Sequence, residues 1–323
     1  MDRRQFLLQS SVLAAGALLP YKKLFAAQPG NFANLRRNVG YFTERGGTIG
    51  WLAADDGLVV VDSQYPQTAK NCLAGLQERT SHPMDLLINT HHHGDHTGGN
   101  SVFEPVAEQM VAHKNVPTLM KDAAEGSDDN SSPAYPTTTY ENSWSLDVGN
   151  ETVHAHYFGR AHTSGDSVIY FEKANVVHMG DLIFNRMNPY TDRPAGASMH
   201  NWVKVLTQVE EKYPDDAIFI FGHSNPEFEV TGKKEDLGVM KNYLSAMIEH
   251  VEKGVEGGKS KEEIINLNEL PGFENFLYAD FWTLSQNLDV AYQEVTGEKW
   301  LPISHLRKMN NRQDLPKRVH INQ

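Results

Sequence analysis

The sequence predicts an α/β fold in which helices pack on a mixed β-sheet. Three observations carry that reading. Short apolar runs at residues 39–42, 48–52, 58–61, 86–88, 168–171, 176–179 and 217–221 have strand length, and four of them pass directly into Asp62, Asn89, Gly180 or Gly222. Between them lie helical-period stretches at residues 68–76 and around Trp202, Leu206 and Val209, so strand–turn–strand units alternate with helices. The 323 residues are 40% hydrophobic and 10% aromatic, enough core for one large domain or two modest ones, which excludes general disorder.

The chain opens with Arg3-Arg4 directly before Phe6, Leu7 and Leu8, then a weakly apolar run at 12–19 and the small pair Ala26-Ala27. This resembles a twin-arginine export signal, with cleavage expected near residue 26 or 27 and a periplasmic destination. The run is far short of the ~20 apolar residues of a membrane helix, so no stable span is expected. The formal charge is −12, and the first 27 residues hold four basic side chains against one acidic, so the remainder is more acidic still. Such a surface repels nucleic acid and anionic lipid. The single cysteine, Cys72, has no disulfide partner and reads as a small buried hydrophobe of the first helix.

Residues 39–52 read as a hairpin turning at Gly46-Gly47, and Asp55-Asp56-Gly57 makes a second turn into the strand at 58–61. Asp62 then ends that strand, and a structural role fits it better than a catalytic one. The strand at 86–88 leads into His91, His92, His93, Asp95 and His96, followed by Gly98-Gly99. His91, His93, Asp95 and His96 match H-x-H-x-D-H, and imidazole nitrogen with carboxylate oxygen is a donor set for Zn²⁺ or Fe²⁺. A helix and a short strand follow to His113, which is expected to pin a loop. Residues 123–143 form a long polar loop, with Tyr135 and Tyr140 at the surface or on substrate.

Residues 152–157 alternate as a half-exposed strand, placing His154 and His156 together on the outward face. His162 follows Gly159 in a loop, and Asp166 is positioned to hold a ligand imidazole from behind. The hairpin 168–179 ends at Gly180-Asp181, with Leu182, Ile183 and Phe184 after it. A carboxylate surrounded by core costs several kcal/mol unless paired, and a metal ion would supply the pairing. His178 faces the other way and is structural. The loop 185–196 offers Arg186, Tyr190 and Arg193 as receptors for a substrate carboxylate, and the strand 217–221 is capped by Gly222-His223. Ligand-type residues thus close four strands: His91 to His96, His162, Asp181 and His223. Loops at strand ends converge on one crevice in sheets of this kind.

Those residues, in that order, resemble the metallo-β-lactamase superfamily from about residue 39 to 226. The resemblance implies a four-layer αβ/βα sandwich of two mixed sheets with outer helices. It implies two Zn²⁺ per chain, with iron or manganese as alternatives on the same donors. His91, His93 and His162 would hold the first metal; Asp95, His96 and His223 the second; Asp181 would bridge them, and His92 would fill a variable slot. Arg160-Ala161 departs from the Pro-Gly pair of many relatives. The implied reaction is attack of a bridging hydroxide on the carbonyl of an ester, lactone, thioester or related amide, with Asp95 as the catalytic proton carrier. A bridging Asp is typical of thioesterase, lactonase and phosphodiesterase branches, whereas family β-lactamases generally carry Cys or Ser there. A β-lactam hydrolase is the runner-up, and a non-haem iron oxidoreductase or a metal-holding protein without turnover are the readings of another class.

Beyond residue 235 no metal-ligand pattern recurs. Leu237, Met240, Leu244 and Ile248 have helical spacing, Ser260 with Glu263 resembles a capping box, and Phe281, Trp282, Leu284 and Leu288 mark another helix. The organisation expected is an export signal at 1–27, a catalytic domain at 28–234 and a helical extension at 235–323. The extension would cap the domain or mediate a homodimer. The partner expected is a small-molecule substrate.

Overall fold

The computed structural model describes residues 30–125, 133–278 and 282–298. The export segment, Phe281 and the basic tail lie outside these residues. The first sheet has seven strands in sequential order: β1 (Asn31–Arg36), β2 (Val39–Thr43), β3 (Ile49–Ala54), β4 (Gly57–Val61), β5 (Met84–Asn89), β6 (Ala107–His113) and β7 (Thr138–Tyr140). Strands β1 to β4 are antiparallel neighbours, and β4 to β7 are parallel. The second sheet contains β8 (Ser143–Val148), β9 (Glu151–His156), β10 (Val168–Phe171), β11 (Val176–His178), β13 (Ile218–Ile220) and β15 (Thr231–Gly232), in the order β15-β13-β11-β10-β9-β8. Two short parallel strands, β12 (Phe184–Asn185) and β14 (His223–Ser224), form a separate ribbon.

Period-two alternation explains the layering. Val59, Val61, Leu86 and Ile88 from the first sheet meet Val153, Ala155, Ile169, Phe171 and Ile220 from the second in one buried layer. The intervening Leu58, Val60 and Leu87 face outward, onto Ala69, Cys72 and Leu76 of helix α1 (Pro66–Gln77). With both faces covered, these strands read as unbroken apolar runs. The outer face of the second sheet is covered by α5 (Met199–Lys212), α6 (Lys234–Glu256), α7 (Lys261–Ile265) and α8 (Leu284–Thr296), which share one apolar cluster with Val168, Val177 and Phe219. The architecture is the four-layer sandwich that the family resemblance implies. None of the described helices is long and apolar enough to cross a membrane.

Helices α2 (Gly94–Thr97), α3 (Asn100–Phe103) and α4 (Val116–Glu125) are short and fill the crossovers of the first sheet. The stretch read as one long polar loop is divided by this fold. Residue 125 still belongs to α4, residues 138–140 are an edge strand, and residues 126–132 lie outside the described ones. Tyr140 is buried and donates to Ser167 Oγ at 2.5 Å, and Tyr135 packs against Ala112, Val116 and Met120. Both rings therefore serve packing, which the polar residues around them conceal. Trp202 of α5 is fully buried, its Nε1 donates to Leu182 O at 3.0 Å, and its ring lies 5.6 Å from that of His162. Removing such an anchor typically costs about 3–5 kcal/mol.

His113 pins a loop, as its surroundings in the sequence suggest. It is buried, stacks on Tyr157 at 3.9 Å, accepts from Asn115 N at Nδ1 and donates from Nε2 to Glu141 O at 3.1 Å. Burial pushes its pKa down to about 4, against a partial upward pull from the Glu141 carbonyl. The unfolded chain takes up this proton near 6.5, so the stability His113 contributes is present above that pH and is lost as pH falls towards 4. Thermal unfolding should therefore move to lower temperature between pH 6.5 and 4, with a smaller shift in His113→Gln. A variant whose midpoint tracks the wild type across that window would contradict this account.

Candidate metal centre

Parallel pairing builds the site. Strand β4 runs beside β5, so Asp62 at the end of one lies against Thr90 at the end of the other. Thr90 N and Oγ1 both donate to the Asp62 carboxylate, each at 2.7 Å. Strand β11 runs beside β13 in the same sense, which brings Gly180-Asp181 next to Gly222-His223, with Gly222 N donating to Gly180 O at 2.8 Å. His162 arrives on the turn after β9. Asp166 sets that turn, accepting from Thr163 N at 2.8 Å, Thr163 Oγ1 at 2.6 Å and Ala161 N at 3.2 Å.

Two groups of donors result. His91 Nε2 and His162 Nε2 lie 3.1 and 3.0 Å from His93 Nδ1, and 3.6 and 3.5 Å from Asp181 Oδ2. His223 Nε2 lies 3.1 Å from Asp95 Oδ2, 3.4 Å from His96 Nε2 and 3.4 Å from Asp181 Oδ2. His96 Nε2 is 3.0 Å from Asp181 Oδ1. Asp95 and His96 sit on the one-turn helix α2, whose tight winding turns both towards His223. All seven residues singled out as ligands are thus brought together from four different connections.

The outer nitrogens explain why the inner ones converge. His91 Nδ1 meets Thr90 Oγ1 at 3.0 Å, His93 Nε2 meets Asp192 Oδ2 at 2.9 Å, His162 Nδ1 meets Tyr190 O at 2.6 Å, and His96 Nδ1 meets Asp62 Oδ2 at 2.7 Å. Each outer nitrogen carries a proton, which in His91, His93 and His162 commits the inner nitrogen's lone pair to the cluster. Lone pairs facing one another at 3.0–3.1 Å repel unless a cation lies between them. Four donors at about 2.0–2.1 Å from a tetrahedral metal lie about 3.4 Å from each other, close to the spacings seen. Asp181 Oδ1 is buried and, among the described residues, accepts no hydrogen bond of good geometry. These residues fit divalent cations.

The electrostatics divide the site. Burial and the neighbouring imidazoles keep His91 and His162 neutral, His162 being pushed down to about 3. His96 is buried and His223 partly so, but Asp181 and Asp95 hold them charged, His223 being raised to about 10. Burial would raise Asp181, yet His223 and His96 keep it well below the usual carboxylate range. The second group therefore balances its acids with protons that a metal ion would displace on binding.

Several expectations are corrected here. Asp166 commits its carboxylate to Ala161 and Thr163 and so orders the turn that carries His162, while Asp62, Asp192, Thr90 and the Tyr190 carbonyl brace the ligands. Arg186 is paired with Asp236 at 2.9 Å and lies over the Phe228 ring at 4.8 Å. Arg193 is paired with Glu294 at 3.3 Å. Neither guanidinium is presented to a substrate carboxylate, because each is engaged in holding a loop to a C-terminal helix. Tyr190 does reach the site, its ring 5.2 Å from that of His93 and edge-on to Trp282 at 4.5 Å. His92 lies outside the two groups, 3.6 Å from Asp192. His154 pairs with Glu172 and His156 with Tyr213, on the outer sheet face. Asp192 had one visible cue, the turn sequence Asp-Arg-Pro, and the Tyr190 carbonyl had none.

The family model of the Metallo-beta-lactamase superfamily matches residues 42–223. The chain is 25% identical over 176 residues to a type 2 metallo-beta-lactamase of Elizabethkingia meningoseptica, which covers 54% of this chain and 68% of that protein. It is 29% identical over 135 residues to the alpha subunit of a 2,4-dinitroanisole O-demethylase from a Nocardioides strain, spanning 41% of this chain and only 40% of the subunit. Among solved structures, a metallo-beta-lactamase from Pontibacter korlensis superposes with a TM-score of 0.54 at 18% identity, over 67% of this chain and 99% of that one; at this identity the likeness is one of fold. With the fold, the ordered donors and the family model in agreement, the chain belongs to the metallo-β-lactamase superfamily.

Proposed function

We propose that the protein is a dinuclear metal-dependent hydrolase, with zinc the expected metal, acting on a small ester, lactone, thioester or related amide. The observation that carries this is the two adjoining donor groups: His91, His93, His162 and Asp181 in one, Asp95, His96 and His223 in the other, each with donor atoms within 4.8 Å of one another. Asp181 faces both groups, Oδ2 towards His91, His162 and His223 and Oδ1 towards His96, and would be shared. Bound divalent cations supply Lewis acidity towards a carbonyl oxygen and make hydroxide available near neutral pH.

The chain's own residues supply the rest. Burial would raise the pKa of Asp95, but the charge of His96 and the hydrogen bond from His223 hold its carboxylate well below the usual range. Asp95 Oδ2 is therefore an ionised acceptor at the site edge, able to take a proton from the attacking water and hand it to the leaving group. Tyr190 and Trp282 form an aromatic wall beside His93, and Phe184 stacks on His223 at 5.2 Å. These surfaces suit an apolar portion of a substrate. Export to the periplasm belongs to the same proposal, supported by Arg3-Arg4 and the short apolar run behind them.

A β-lactam hydrolase is the second reading, favoured by the likeness to a type 2 metallo-beta-lactamase. The engagement of Arg186 and Arg193 in internal pairs weighs against it, since a β-lactam carboxylate would need a cation.

Metal quantification and a hydrolysis panel of ester, lactone, thioester and β-lactam test these readings together. Two equivalents of zinc with turnover of a carbonyl ester are expected, whereas iron with oxygen uptake would overturn hydrolysis. Asp181→Ala should lose dinuclear loading and activity; full metal content and full activity in that variant would remove Asp181 as the shared ligand. A Cβ added at Gly222 would stand 2.0 Å from Asp181 Oδ1, so Gly222→Ala should displace that carboxylate and lower metal occupancy while the far-ultraviolet spectrum stays unchanged.

A further inference from the structure

The last described helix, α8, reaches the metal centre through one residue. Asn287 is fully buried, and its carboxamide is saturated. Its Oδ1 accepts from Thr191 Oγ1 at 2.7 Å and from Trp282 Nε1 at 2.7 Å, and its Nδ2 donates to Asn188 Oδ1 and Pro189 O, each at 2.8 Å. Three of those partners, residues 188, 189 and 191, flank Tyr190 on both sides. The Tyr190 carbonyl is the acceptor for His162 Nδ1, and Asp192, next after Thr191, is the acceptor for His93 Nε2.

A second residue of the same helix holds the far end of this loop. The Glu294 carboxylate accepts from Met199 N at 2.8 Å, His200 N at 3.1 Å and Arg193 Nη1 at 3.3 Å. It thereby closes the N-terminus of α5, where backbone donors lack partners of their own. The loop 188–197 is thus fastened at both ends to one helix face, with the two imidazole acceptors between the fastenings. The second donor group has a different support. His96 is braced by Asp62 at the end of β4, and His223 is carried by β14.

We infer that Asn287 of the C-terminal helix is a positioning residue for the first metal-binding group, His91, His93 and His162, and not for the second. Its action is indirect: it fixes the loop whose carbonyl and carboxylate set the orientation and tautomer of His162 and His93. This rests on the dinuclear reading above and adds that the region beyond residue 235 is part of the site's machinery.

The test is stepwise metal binding by chelator competition on the full chain, with Zn²⁺ as the probe. His162→Ala and His223→Ala assign the two steps, since each deletes a ligand of one group only. Asn287→Ala should weaken the step that His162→Ala abolishes by about 10–100-fold, the usual effect of losing a partner behind a ligand, and leave the other step unchanged. Thr191→Val keeps the volume and deletes one hydrogen bond; it should weaken the same step by a smaller factor, and it decides the matter if Asn287→Ala does not fold. Folding is followed by circular dichroism and the thermal midpoint. A folded variant in which neither step moves, or in which both weaken alike, overturns the inference, because a purely structural residue has no reason to select one group. A wild-type chain that takes up fewer than two equivalents overturns the dinuclear reading and this inference with it.

Discussion

Imidazole nitrogens aimed at one another across about 3 Å are an unfavourable arrangement that no packing force would choose. The edge of the sandwich is organised around maintaining it. Each ring has two nitrogens, and the arrangement persists because an acceptor outside the cluster claims the proton of one and so commits the other inward. The acceptors are of unequal kinds: a buried carboxylate at a strand end, another in a turn, a threonine hydroxyl and a main-chain carbonyl. What the four share is rigidity. Asp62, with a φ of 64°, occupies backbone space that non-glycine residues rarely visit, and the two hydrogen bonds from Thr90 keep it there.

The ligands were legible because chemistry concentrated them. H-x-H-x-D-H at 91–96 has no reason to exist in a folded loop other than its donors, and Asp181 stands out as an acid followed at once by Leu-Ile-Phe. The layers were legible for a related reason. Strands buried on both faces, such as residues 58–61 and 86–88, advertise themselves as apolar runs. The braces were harder to see. Tyr190 acts through its carbonyl, which every residue possesses, so its identity says nothing about that role. Asp192 and Asn287 are ordinary polar residues until long-range folding sets them against His93 and the loop, 99 positions apart in each case. Arg186 and Arg193 misled in the opposite sense. Loop arginines near a site suggest anion binding, but Asp236 and Glu294, distant in sequence, already neutralise them.

The two donor groups also differ in how they balance charge. Two imidazoles held neutral, His91 and His162, leave the first group poor in charge, whereas Asp95, Asp181 and the nearby Asp62 surround the second with acid. Buried acids of this density are tolerable only with positive partners at hand. His96 and His223 are those partners within the polypeptide, which is why the same two rings are raised while His91 and His162 are lowered. Glycine at 47 is part of this economy of space: a Cβ there would meet the His96 ring at 2.1 Å, so the hairpin turn can press against the imidazole only without a side chain.

The four hydrogen bonds of Asn287 have a consequence for how the protein matures. Residues 188–191 are translated almost a hundred codons before the helix that steadies them. A nascent chain that has completed both sheets still lacks this fastening, which can form only once Asn287 has been made.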